Sequence, residues 1–184
     1  MEVRISKHFN FASGIHWENK FIISIFNFDA SMLVYTNDSR EQYVALERVN
    51  YIIRECLEDC VFVDINNTEA IKKYQDAGIK VCTTPGEPFE QIIAMLILNK
   101  CNSIMENKIF ITDIDFEGLL SNGMSYQIVS EMAETMLPSK GWWYKNDTSI
   151  TDRVKKDNIV KISENVSWEK LDLGWKEVDT KEVS

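Results

Sequence analysis

The 184-residue chain lacks most of the features that announce a function. No stretch approaches the roughly 20 apolar residues that span a bilayer, and "QIIAMLIL" (Gln91 to Leu98) is too short to do so. The opening, "MEVRISKHFNFASGIHWENK", has no apolar core of the kind a secretory leader carries. Four cysteines, Cys56, Cys60, Cys82 and Cys101, follow no zinc spacing, and the two histidines, His8 and His16, stand far from them. No glycine-rich loop of the dinucleotide or Walker type occurs, and no serine or cysteine sits in a nucleophile-elbow context. Positive charge is scarce too: 20 Lys and Arg against 29 Asp and Glu give a net charge of −9, which argues against direct binding to a nucleic-acid backbone. The expectation is a cytoplasmic protein with reduced, buried thiols, no membrane contact, and a basic protein surface as its electrostatic partner.

What is present suffices for a core. With 45% hydrophobic and 11% aromatic residues the chain lies in the globular range, and its length matches one domain with an appendage. Abundant Ile, Asn and Lys suit an A- and T-rich gene, as in a low-GC bacterium or one of its phages.

"KFIISIFNF", followed after Asp29 and Ala30 by "SMLVYT", reads as an antiparallel hairpin. "NDSREQYVALERVNYIIRECLEDC" changes to helical period through Leu46, Val49, Ile53, Leu57 and Cys60, with Asp38 and Glu41, or Ser39 and Gln42, as a capping box. Strand and helix then alternate: "VFVDI", the helix "NTEAIKKYQDAG" closed by Gly78, "IKVC", the apolar helix "FEQIIAMLILNKCNSIM", and "KIFITDI". Ser125 to Leu137 reads as a last amphipathic helix, stopped by Pro138. The fold class that follows is α/β: a mixed sheet with an N-terminal antiparallel hairpin at one edge, βαβ crossover units, and a Trp-rich C-terminal extension. Residues 1–138 would be the core domain. Residues 139–184 would pack on it, with a short helix near Asp152, a strand at "NIVKI", and a disordered tail.

Two constellations could carry function. The first is acidic. Asp64 sits at the carboxyl end of the strand in "VFVDI", and Asp113 and Asp115 stand two apart near the end of "KIFITDIDFEG", where strand alternation places them on one side. Carboxylates converging at strand ends could hold Mg²⁺. "FITDIDFEG" resembles the first motif of the haloacid dehalogenase phosphatases, an aspartate nucleophile followed two residues later by an acid. The resemblance covers about ten residues, and Phe116 and Glu117 replace the small pair that follows in that family. It implies a Mg²⁺-dependent phosphohydrolase; a nuclease using Asp64, Asp113 and Asp115 is the related alternative.

The second is aromatic. Trp142, Trp143, Tyr144, Trp168 and Trp175 lie in the extension among few aliphatic neighbours, either pinning it to the core or forming a partner-binding patch. Acidity and indoles together favour a non-enzymatic module without cofactors. It would bind, and inhibit, a basic nucleic-acid-associated protein such as a transcription or defence factor, as phage products do in host takeover.

Overall fold

The computed structural model describes residues 3–153, which fall within the first of two compact units, Met1–Val154. The second unit, Lys155–Ser184, lies outside the described residues.

Period-two alternation begins at once. In β1 (Val3–Trp17) Phe9, Phe11, Ser13 and Ile15 point to one side, as do Ser24, Phe26, Phe28, Ala30 and Met32 in β2 (Lys20–Val34). Glu18 and Asn19 join the strands with φ of 48° and 60°, the left-handed pair that a two-residue hairpin turn requires. The ladder runs without a break from Trp17↔Lys20 to Val3↔Val34. The expected hairpin is therefore built one strand earlier than the sequence suggests. Asp29 and Ala30 form no turn, because Phe28, Ala30 and Met32 stay in phase on the buried side while Asp29 points out.

The sheet order is β4-β3-β1-β2-β5-β6, which places the hairpin at the centre and not at an edge. Its length allows this: β2 pairs antiparallel with β5 (Ile109–Glu117), and the far end of β1 pairs parallel with β3 (Cys60–Asp64). β3, α2 (Thr68–Asp76) and β4 (Lys80–Thr84) form a βαβ unit whose strands pair parallel. Asn67 caps α2 by accepting the Ala70 N–H, and Gly78 follows its end at φ 76°.

α1 (Ser39–Tyr51) starts at Asp38, which accepts the Arg40 N–H at 2.8 Å. Glu41 does not close the expected capping box; it binds Thr36 and Lys108 instead. The helix continues as a π-helical turn (Ile52–Leu57) that buries Ile52, Ile53 and Leu57. α3 (Glu90–Ile104) is buried on nearly every side. It lies with α1, the π-turn and α4 (Ser130–Met136) over the face where Phe9, Phe11, Phe26, Phe28, Phe62 and Phe116 interlock. The expected helix from Ser125 begins as a strand, β6 (Tyr126–Val129), because β5 offers an open edge there and Ile128 pairs opposite Ile114. Asp152 lies in no helix, and "NIVKI" falls outside the described residues.

Among the described residues α2 alone covers the opposite face, and only over β3 and β4, where Ala70, Ile71 and Tyr74 pack on Val61, Val63 and Val81. The described residues leave the remainder of that face bare. No helix among the described residues is long and apolar enough to cross a membrane.

Candidate functional site

The bare face is built by the outward residues of the two central strands. Across the β1/β2 ladder the outward pairs run His16↔Phe21, Gly14↔Ile23, Ala12↔Ile25, Asn10↔Asn27, His8↔Asp29 and Ser6↔Ser31. Phe21, Ile23 and Ile25 are 51%, 64% and 50% exposed, an apolar strip in line along one strand. Beside Ile23 and Ile25, β1 offers only the small Gly14 and Ala12. Gly14 is needed because the Phe21 ring lies over its Cα, and a Cβ there would overlap it. Phe21 also touches Tyr74 of α2 at 6.0 Å between ring centroids, so the strip starts where α2 ends. His16 marks that boundary: its Nδ1 lies 3.0 Å from the Tyr74 hydroxyl and its buried Nε2 meets no partner. Burial pushes the Tyr74 hydroxyl pKa up.

Acids follow the strip along the sheet. Asp29 stands directly opposite Asp115, Ser31 opposite Asp113, and Asn27 opposite Glu117. Like charges facing across a strand pair oppose sheet formation. His8 offsets this little, since its 3.0 Å contact with Asp29 is well exposed on both sides. Asp115→Asn is therefore expected to raise stability by a few tenths of a kcal/mol, a gain readable in a urea unfolding midpoint.

The phase of "KIFITDIDFEG" explains why these acids face outward. Ile109 and Ile111 are buried, and so are Ile114 and Phe116, which a strict alternation cannot satisfy. An extra residue at Thr112 resolves the conflict: pairing jumps from Met32↔Ile111 to Ser31↔Asp113, a β-bulge. Asp113 and Asp115 do share one side, as expected. Asp113 accepts the Thr112 hydroxyl at 2.7 Å, and neither acid lies at a strand tip.

Asp64 is not brought to them. It ends β3 and accepts the Asn66 backbone and side-chain N–H groups, fixing the turn into α2. Extended by the parallel register, its row falls at Trp17, whereas Asp115 aligns through Asp29 with His8. Nine residues of strand separate those rows, about 30 Å at ~3.3 Å per residue. Among the described residues no group of three or more His, Cys, Asp or Glu side chains could hold a metal ion.

Trp142 and Trp143 face inward, 0% and 3% exposed. Trp142 donates from Nε1 to the Thr83 carbonyl at 2.8 Å, and its backbone N–H goes to Asp152. Trp143 donates to the Pro138 carbonyl at 3.3 Å, while the Tyr144 hydroxyl receives the Asn99 amide at 3.4 Å. Of the two roles open to these indoles, pinning the segment is the one their burial serves, and neither can meet a partner as an exposed anchor. Trp168 and Trp175 lie outside the described residues.

One buried charge gave no signal in the sequence. Lys100, fully buried on α3, donates to the carbonyls of Trp142 (3.1 Å) and Lys145 (2.8 Å) and approaches Asp147 at 3.5 Å. Burial lowers its pKa to about 8. Burial also pushes Cys56 up to about 11 and Cys101 up to about 12, so these thiols stay protonated and unreactive at neutral pH. A cleft of about 230 Å³ beside α1 holds two ion pairs, Lys108 with Glu41 at 2.7 Å and Arg48 with Glu106 at 2.8 Å, together with Arg40.

The class this architecture defines is a mixed six-stranded α/β sheet with helices on both faces, one of them only partly covered by the described residues. It is similar to the crystal structure of the uncharacterized protein WS1659 from Wolinella succinogenes. The TM-score is 0.52 at 12% identity over 70% of this chain and 98% of that one, a likeness of fold alone. No family model matches the chain, and no curated protein does.

Proposed function

We propose that this protein acts by docking the bare face of its sheet onto a partner protein with a basic surface. The observation that carries the reading is the adjacency of the exposed strip Phe21, Ile23, Ile25 and the acids Asp29, Asp113, Asp115 and Glu117. Apolar residues held in line on a rigid sheet mark an interaction surface, and the neighbouring acids define the charge of what covers it. The opposed Asp29 and Asp115 support this, since a partner cation between them would relieve a repulsion the free sheet has to bear. The net charge of −9 would steer such a partner over longer distances. A nucleic-acid-associated factor, with its cationic surface, is the natural candidate, and covering that surface would inhibit it.

The test compares the full chain with Ile23→Ser and Asp115→Asn as baits in cell extract. The wild type should retain a protein with an isoelectric point above neutrality, released as salt rises from about 0.1 M to about 0.5 M. Both variants should retain far less of it, although Asp115→Asn is the more stable protein. With the purified partner, amide exchange should slow over residues 21–29. Equal retention by wild type and variants, or an acidic captured protein, would refute the reading.

A further inference from the structure

The central hairpin leaves part of β1 unpaired. Its closing pair is Trp17↔Lys20, so the odd-numbered residues of β1 exchange both backbone hydrogen bonds with β2, and the even-numbered ones direct N–H and C=O away from it. The Ala12 carbonyl confirms this parity, because it receives the Asp59 N–H at 2.9 Å from the other side. β3 pairs only at Gly14 and Ile15. From Ser6 to Asn10, nothing among the described residues meets the outward backbone groups of Ser6, His8 and Asn10, and all three residues are exposed.

Beside this edge lies a polar cleft of about 150 Å³, with Lys7, His8, Phe9 and Asn10 on the strand side and Asn50, Ile53 and Arg54 on the helical side. Strand residues of both parities line it, so it opens on the backbone edge itself. Lys7 reaches Asn50 at 3.1 Å, and Arg54 reaches Asn10 at 3.3 Å. Arg54 is 60% exposed and meets Glu58 only at 3.8 Å. On a chain of net charge −9, this cleft gathers Lys7 and Arg54 and is lined by no acid.

We infer that the free edge of β1 accepts an extended acidic peptide segment as an added strand. Backbone bonds to Ser6, His8 and Asn10 would hold the segment, and one Asp or Glu side chain would enter the cleft toward Arg54 and Lys7. Strand addition supplies affinity through the main chain and selectivity through alternate side chains. Here the selecting groups are cations. The inference rests on other observations than docking at the bare face, since it uses the backbone edge of β1 and the opposite charge.

The probe is a fluorescent heptapeptide of alternating valine and glutamate, titrated into the full chain, with its valine–lysine counterpart as control. The glutamate peptide should bind and weaken with added salt; the lysine peptide should bind at least about tenfold more weakly. His8→Pro and Ser6→Pro each delete an outward N–H while leaving the β2 ladder whole, as proline is tolerated at an edge. Each should lose about tenfold in affinity with unchanged circular dichroism, and Arg54→Glu should do the same. In the free protein the amides of Ser6, His8 and Asn10 should exchange fast, and the peptide should protect them. Equal binding of both peptides, no binding, a self-association that fills the edge, or slow exchange of those amides before peptide is added would overturn the inference.

Discussion

Trp142→Ala is expected to lower the melting temperature by about 10 °C, because emptying a fully buried indole site removes about 3–5 kcal/mol and a chain of this size loses a few degrees per kcal/mol. Two further losses add to the void. The Thr83 carbonyl loses its indole donor, and Lys100 loses the ring that lies 5.8 Å below its ammonium group. Trp142→Phe should recover part of the loss by refilling the site while leaving the Thr83 carbonyl without its indole donor. Ile23→Ser, by contrast, should shift stability by no more than about 0.5 kcal/mol, since it alters an exposed side chain. Thermal melts of the three variants separate residues that hold the fold from residues that face outward. A mild Trp142→Ala variant would mean that the 142–147 segment is not clasped as described.

What the sequence made legible follows from local periodicity. α2 with its Gly78 stop, the strands at Val63 and Val81, and the apolar α3 all appear where their patterns place them. β1 was hidden because its inward positions include Lys7 and Ser13, polar residues that find partners in Asn50 and the Leu57 carbonyl. β6 was hidden because four residues carry too few alternations to outweigh the helix that follows. The acids of "ITDIDFEG" were visible, but their setting was not. Their outward direction depends on a bulge at Thr112, and their distance from Asp64 depends on which strands lie between. That bulge has a trace in the sequence: apolar residues at 109 and 111 fall out of phase with those at 114 and 116. The bare face left a similar trace in Phe21, Ile23 and Ile25, an apolar row alternating with a second apolar row in a strand that only one face can bury.

Lys100→Met should destabilise the protein by about 2 kcal/mol at neutral pH, since the Lys145 carbonyl is left without a donor and the Trp142 carbonyl keeps only the Lys145 N–H. Relief from burying a cation offsets part of this and keeps the loss below that of Trp142→Ala. The pH dependence identifies the cause. In the folded chain the amine titrates at about 8, because burial disfavours its charge, whereas in the unfolded chain it keeps the ordinary value of 10.5. Between those values the unfolded state holds more protons, so this group makes wild-type stability rise with pH, by at most about 1.4 kcal/mol per unit. Below pH 8 both states are protonated and the contribution is flat. The raised thiols of Cys56 and Cys101 act in the opposite direction above pH 9, but they are present in both proteins and largely cancel in the difference. The gap between wild type and Lys100→Met, measured by urea unfolding, should therefore stay constant up to about pH 8 and widen toward pH 10. A gap that stayed constant from about pH 8 to pH 10 would mean that the amine is held as a cation by its neighbours, chiefly Asp147, and that burial is not what governs it.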